Sequence, residues 1–465
     1  MRRPTAALLA PRGCNRAQPS REYRDRHALP GRRLLSLAAV MRHPDLVLKP
    51  DPARTVIRPF LPGDPPAFAV PDRPRARRIA ERVLAFDEAV LHVALQTTFI
   101  SLEGRFRDPY ALMLRRFDEV APLLDQTDRI GELQRLLIGA YLSEEYAFEA
   151  AALFNPSAVL HPDQSGLAPG EIRFIMSLRA IGEGHVSSVT FRTGIWSPSS
   201  GDLSIDAPSP TAVAPIVEQG GPGGDTHIHL HCGGSLTVSE TVLFSVLPSQ
   251  RQGIEDVRLT RFVDDDGSVT YHGTFTAFGG AEARSELLSG TDFRSFEMRA
   301  LAGSVASAKG MALFPRRIDG HYAMLGRQDS ENIWLHLSDD LLTWEGGQPL
   351  IGPLYPWETI QMGNCGPPIE LDEGWLVLTH GVGTVRNYSV GAALLDLDDP
   401  SRVLARTPEP ILMPEASERD GYVPNVVYSC GGIVHERTLL LPYGASDSFT
   451  AFASVGVDDL LAAMQ

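Results

Sequence analysis

From Phe154 to the C-terminus the chain is a succession of short apolar runs broken by Gly, Pro and Asp. Ile172 to Ala180, Val186 to Arg192, Val269 to Ala277, Tyr322 to Gly326 and Ile333 to Leu337 are examples. Runs of this length between turn residues predict β-strands. An internal echo narrows the choice of architecture. Asp292-Phe293-Arg294-Ser295-Phe296-Glu297 aligns with Asp340-Leu341-Leu342-Thr343-Trp344-Glu345 at an offset of 48 residues. A turn and a buried aromatic recurring at that period are what the four-stranded blades of a β-propeller produce.

The region before Phe154 has a different texture. Residues 51–153 begin with a proline-rich lead-in to residue 73 and turn helical from Pro74. Ile79, Val83, Phe86, Val90 and Leu91 follow three- and four-residue steps; Leu112, Arg116, Val120 and Leu123 do so in part, and Leu133, Leu136, Leu137, Ala140 and Tyr141 again. Asp108-Pro109 has the form of an N-cap followed by proline at the first helical position. Three or four helices are expected, forming a cap or a dimerisation element through which the chain would make a homo-oligomer. Residues 1–50 form an Arg-rich arm, expected to be disordered, with Met41 as an alternative start.

Composition removes several function classes. A net charge of −15 gives no nucleic-acid footprint, and no apolar run is long enough to cross a bilayer. Cys14, Cys232, Cys365 and Cys430 lie far apart without CxxC pairing, which fits a reducing cytoplasm rather than a disulfide framework. Lys49 and Lys309 are the lysines among 42 Lys and Arg, so a lysine kept under that bias draws notice.

Polar residues that strand ends and turns would present are the candidates for chemistry. In Gly253-Ile254-Glu255-Asp256-Val257-Arg258 the adjacent acids should face opposite sides of an extended strand, so that Asp256 and Arg258 share a face. By itself such a tripeptide is most simply a surface salt bridge. Further on come Trp357-Glu358-Thr359-Ile360-Gln361-Met362-Gly363-Asn364, then Thr379-His380-Gly381-Val382, Tyr388, and Gly444-Ala445-Ser446-Asp447. His227, His229 and His231 alternate ahead of Cys232 and suggest a metal site. The glycines at 220–224 and 233–234 favour a floppy insertion instead, and no metal is expected.

This order of motifs, over residues 154–455, resembles glycoside hydrolase family 130, the β-mannoside phosphorylases and their few hydrolytic relatives. The resemblance implies an all-β five-bladed β-propeller at 154–465 behind the N-terminal α-helical extension. It makes Asp256 the general acid, Lys309 and His380 phosphate ligands, and Asn155, Arg179 and Asp447 contacts to the sugar. The residues themselves add Arg386 as a further phosphate ligand and Arg258, Gln361 and Tyr388 as further sugar contacts. Trp357 and Tyr388 could stack on sugar faces, although core packing is the plainer role for each.

Two positions depart from the family pattern: Gln361 stands where many phosphorylases carry lysine, and Gly310 replaces an asparagine. Arg386 is the residue expected to make up the lost charge. Inversion with phosphate needs one carboxylic acid and a set of cationic donors; a hydrolase must add a carboxylate base. The implied function is an inverting phosphorylase using a β-mannosidic oligosaccharide and inorganic phosphate as co-substrate, with no cofactor. An inverting β-mannosidase and a non-catalytic carbohydrate-binding propeller are the alternatives.

Overall fold

A computed structural model describes residues 40–70, 73–125, 127–219, 227–279 and 283–465. The expected strands are present with their ends shifted by a few residues, for example Ile172–Ile181, Ser187–Ser197 and Val269–Phe278. They assemble into five antiparallel sheets in chain order. The first runs from Ala152–Leu160 to Val242–Leu243, and the second carries Ile254–Val263 to Ser295–Ala300. Lys309–Leu313 to Gln348–Ile351 makes the third, Gln361–Asn364 to Val403–Arg406 the fourth, and Val427–Tyr428 to Phe449–Gly456 the fifth.

Each sheet is bonded to the next. Leu259 N donates to Ser157 Oγ at 2.9 Å and Thr260 Oγ1 to Leu313 O at 3.1 Å, joining first to second and second to third. Met362 N donates to Glu331 O and Tyr388 N to Asn425 O, continuing through the fourth to the fifth, and Cys430 N to Pro156 O returns to the first. The apolar core is divided in the same way. Phe275 and Phe191 pack between the first and second sheets, Leu287 and Met324 between second and third, and Phe314 and Trp375 between third and fourth. Leu376 and Leu439 fill the next interval, and Phe174 and Phe452 the last.

The repeated hexapeptides occupy matching places. Asp292 begins the turn between the third and fourth strands of its sheet, where its Oδ1 accepts from the backbone N–H groups of Arg294 and Ser295. Asp340 does the same one sheet later, accepting from Leu342 N and Thr343 Oγ1. Phe296 and Trp344 are both buried.

Among the described residues four α-helices precede the sheets: α1 Arg75–Leu84, α2 Glu88–Leu102, α3 Pro109–Val120 and α4 Glu132–Tyr141. The Asp108 carboxylate accepts from Ala111 N and Pro109 opens α3, as its sequence predicts. At Gly139 any Cβ would sit 2.0 Å from Met113 O, so α3 and α4 cross in backbone contact there.

Two expectations need correction. The disorder assigned to residues 1–50 lies outside the described residues up to residue 39 and does not hold beyond it. Met41–Arg42 pairs with Ser454 and Ala453 at the edge of the fifth sheet, and Arg42 bonds Glu418, Tyr443 and Met413 O. With Glu418 and Tyr443 buried beneath it, Arg42 is a fixed group rather than the solvated one that composition implies. The floppy insertion also fails: His227–His231 is a strand of the second sheet, paired with Ser295–Arg299.

Candidate active site

The first strands of three successive sheets share one irregularity. Register shifts fall between Phe154 and Ser157, between Glu255 and Arg258, and between Lys309 and Ala312. The residue inside each bulge is left-handed: Asn155 at φ 50, Asp256 at φ 54 and Gly310 at φ 79. Asn, Asp and Gly are the residue types that tolerate this region, which costs other L-residues about 1–2 kcal/mol. A bulge re-aims its side chains. Here Asn155 Nδ2 donates to Asp256 Oδ1 at 2.8 Å across two sheets.

The bulge overturns the expected alternation of Glu255 and Asp256. Arg179, at the end of the adjoining strand, donates through Nη2 to Glu255 Oε1 at 2.8 Å, and its Nη1 reaches Asp256 Oδ1 at 3.4 Å. Both acids therefore face one guanidinium, and Glu255 joins the site although its position in a regular strand excluded it. Lys309 Nζ lies 3.9 Å from Glu255 Oε2, with 44% of its side chain exposed. Arg258 donates to Tyr428 Oη at 2.7 Å rather than to Asp256.

A second group adjoins the first. His380 is buried, with Tyr388 stacked on it at 6.1 Å and Tyr428 edge-on at 4.9 Å. Arg327 Nη1 lies 3.3 Å from His380 Nε2. Because a guanidinium only donates, this nitrogen accepts and the ring is neutral with its proton on Nδ1, toward Cys365 Sγ at 3.9 Å. Burial, then the charges of Arg327 and Arg258, hold the imidazole well below its usual pKa. Arg258 Nε, Arg327 Nε and Asn364 Oδ1 are buried without hydrogen-bond partners among the described residues, polar atoms that a bound anion or hydroxyl would satisfy.

Arg327 is the cation at His380, and Arg386 is not. The turn Thr384–Arg386 places Val385 and Arg386 in left-handed conformations, with the Arg386 guanidinium 5.9 Å above the Tyr388 ring and its field acting on Asp447. Gln361 stays half-buried opposite Val382, with no hydrogen bond to these groups among the described residues. Trp357 is a packing residue. A Cβ at Gly381 or Gly391 would come within 2.5 Å of its ring, and its Nε1 donates to Pro408 O.

The carboxylates titrate apart. Burial alone would raise Asp256, but Arg179, Arg258 and the Asn155 hydrogen bond outweigh it and hold the group below the usual carboxylate range. Asp447, left-handed at φ 49 in the turn after Ala445, is pushed up to about 6 by burial and then by the charge of Asp256. Two acids with pKa values driven apart in one site are suited to acid–base work. Among the expected site residues, Asn155, Arg179, Asp256, Arg258, Lys309, His380, Tyr388 and Asp447 are linked by these contacts and fields. Glu255, Arg327, Asn364 and Tyr428 join them.

Comparisons with known proteins agree in kind. A family model described as beta-1,4-mannooligosaccharide phosphorylase, Glyco_hydro_130, matches residues 240–465. The chain is 34% identical over 230 residues to 1,2-beta-oligomannan phosphorylase of Thermoanaerobacter sp. (strain X514), covering 48% of this chain and 75% of the relative. It is 36% identical over 225 residues to beta-1,2-mannobiose phosphorylase of Listeria innocua serovar 6a, covering 46% of this chain and 60% of that one. The solved structure of a putative glycoside hydrolase from Bacteroides ovatus ATCC 8483 superposes with a TM-score of 0.51 at 20% identity, over 68% of this chain and 90% of that one, a likeness of fold alone.

Proposed function

The chain belongs to glycoside hydrolase family 130, and from that premise we propose that it is an inverting β-mannoside phosphorylase. It cleaves a β-mannosidic bond with inorganic phosphate and releases α-mannose 1-phosphate and a shortened acceptor. The phosphorylases to which the chain is similar support this reading. We read the five sheets as the blades of a five-bladed propeller. The cyclic order of their hydrogen bonds and the five intervening cores support that architecture.

The observation that carries the function is the meeting of two unlike groups. The acids Glu255, Asp256 and Asp447 share Arg179, and beside them stand Arg258, Arg327 and Lys309 with a neutral His380. Phosphate is already an anionic nucleophile, so the site has to supply donors for it and an acid for the leaving oxygen. Arg258, Arg327 and Lys309 hold the phosphate in this reading, with His380 keeping Arg327 aimed. Asn155, Arg179 and Asp447 hold the mannose hydroxyls, and Asp256 gives the proton, directly or through a mannose hydroxyl. Glu255 is engaged by Arg179 and faces Lys309, so it serves as an ion-pair partner rather than as a base for water.

Asp256 is ionised in the free site and must gain a proton before it acts as an acid. Substrate supplies the means. A bound phosphate neutralises the field of Arg258, and a sugar excludes water and competes for Arg179 and Asn155. Each change raises the carboxyl pKa. No cofactor enters the scheme.

Incubation with β-1,2-mannobiose, with and without phosphate, tests the proposal. Loss of disaccharide is expected only with phosphate. Equal loss in both would select hydrolysis, and none in either would leave a binding protein.

A further inference from the structure

We propose that the outer part of the second sheet binds a divalent transition-metal ion, Zn²⁺ by the chemistry of its donors, between His227, His229 and Glu297. His227 and His229 alternate along a strand and so share a face. Glu297 lies directly opposite His229 on the neighbouring strand. One ligand atom from each of the three falls within 4.8 Å of the others. The two imidazole planes are inclined at 58° with centroids 5.1 Å apart, so the rings converge without stacking flat.

The decisive detail is at His227. Its Nε2 is buried and lies 2.6 Å from Glu297 Oε1, yet it makes no hydrogen bond among the described residues. A nitrogen and a carboxylate oxygen that face each other without hydrogen-bond geometry are both left open to a shared cation. Two imidazoles and one carboxylate form a recurrent zinc donor set, with water in the fourth position. Around a tetrahedral ion with bonds of about 2.0–2.1 Å the donors stand roughly 3.3 Å apart, so the His227–Glu297 pair must open slightly while more distant donor pairs close, movements within reach of side-chain rotation.

Arg299 is the competitor, with Nε 3.2 Å from Glu297 Oε1; its side chain is 40% exposed and free to turn into solvent when a dication arrives. His231 shares the face but is engaged 3.5 Å from Glu218, and it is left outside the triad.

The histidine strand stands four places from Ile254–Val263, which carries Asp256, a separation of roughly 19 Å at the usual strand spacing. The ion therefore serves structure rather than glycosyl transfer. It ties the histidine strand to Ser295–Ala300, and beyond that strand Ile216–Gln219 is exposed along its whole length as the edge. This staple would secure the two strands that the second sheet has beyond four.

Untagged protein, stripped with a chelator, is titrated with Co²⁺ and separately with Zn²⁺. The expected result is the visible absorption of a four-coordinate Co²⁺ ion saturating at one equivalent, and a higher thermal midpoint with Zn²⁺. The double variant His227→Ala/His229→Ala should bind at least roughly a hundredfold more weakly, and the isosteric Glu297→Gln roughly tenfold, with phosphorolysis unchanged in both. Absence of the Co²⁺ spectrum from wild-type protein, or its persistence in either variant with unchanged affinity, overturns the proposal.

Discussion

Asn155 Nδ2 donates to Asp256 Oδ1 at 2.8 Å although the two residues are 101 positions apart. Each sits at the left-handed position of the same bulge on the first strand of its own sheet. The repeat that builds the fold therefore also builds the site, because equivalent bulges on neighbouring sheets turn their side chains toward each other.

The Asn155 hydrogen bond favours the charged form of Asp256. Asn155→Ala should raise the pKa of that carboxyl, moving the basic limb of the kcat/KM profile upward. Asn155 also holds a mannose hydroxyl in this reading, and loss of a neutral hydrogen bond worth about 0.5–1.5 kcal/mol should lower kcat/KM at its optimum roughly two- to tenfold. A pH–rate profile is the measurement, and an unmoved basic limb would detach Asn155 from Asp256.

Asp447 makes a pH-dependent stability prediction. With its native pKa raised to about 6 from the ordinary 3.8, the folded state binds this proton more tightly than the unfolded state does. Its charging thus costs stability as pH rises from about 4 through 6, and the cost is complete above that. Asp447→Asn should be more stable than wild type at pH 8, by on the order of 1–3 kcal/mol, with the gap closing by pH 4. Denaturant titrations at both values decide it, and a pH-independent difference would count against the shift.

Gly310 occupies the third bulge, where a Cβ would meet only ordinary contacts, Arg327 Cβ and Asn364 Oδ1 at 3.7 Å and Arg258 Nη2 at 3.9 Å. Asparagine tolerates the left-handed region, so Gly310→Asn should fold and direct an amide toward Arg258. The expected change is a several-fold lower KM for phosphate, with the KM for disaccharide little altered; a higher phosphate KM would contradict this placement.

Arg327 is assigned to phosphate. Arg327→Met keeps much of the apolar stem and removes the charge-assisted donors, and should raise the phosphate KM roughly ten- to a hundredfold. A rise confined to the KM for disaccharide would reassign the residue.

Much of the architecture was legible before the structure. Strands such as Tyr322–Arg327 were marked by apolar runs between turn residues, Asp108-Pro109 marked the start of α3, and the hexapeptide echo fell on matching turns. The site was less so. Arg327 ends an ordinary strand, and its meaning comes from standing opposite Lys309, a cross-strand relation that local sequence does not carry. Glu255 is hidden in the sequence because a regular strand alternates its side chains and the bulge between Glu255 and Arg258 does not. In hindsight Asn155, Asp256 and Gly310, all left-handed-tolerant residues at the starts of strands, were the available signal.

The most direct measurement follows β-1,2-mannobiose and phosphate by NMR from the first turnovers, with wild type and with Asp256→Asn. The account predicts α-mannose 1-phosphate as the initial product of the wild type and almost none from the variant. Free mannose as the initial product, or a variant as fast as wild type, would contradict it.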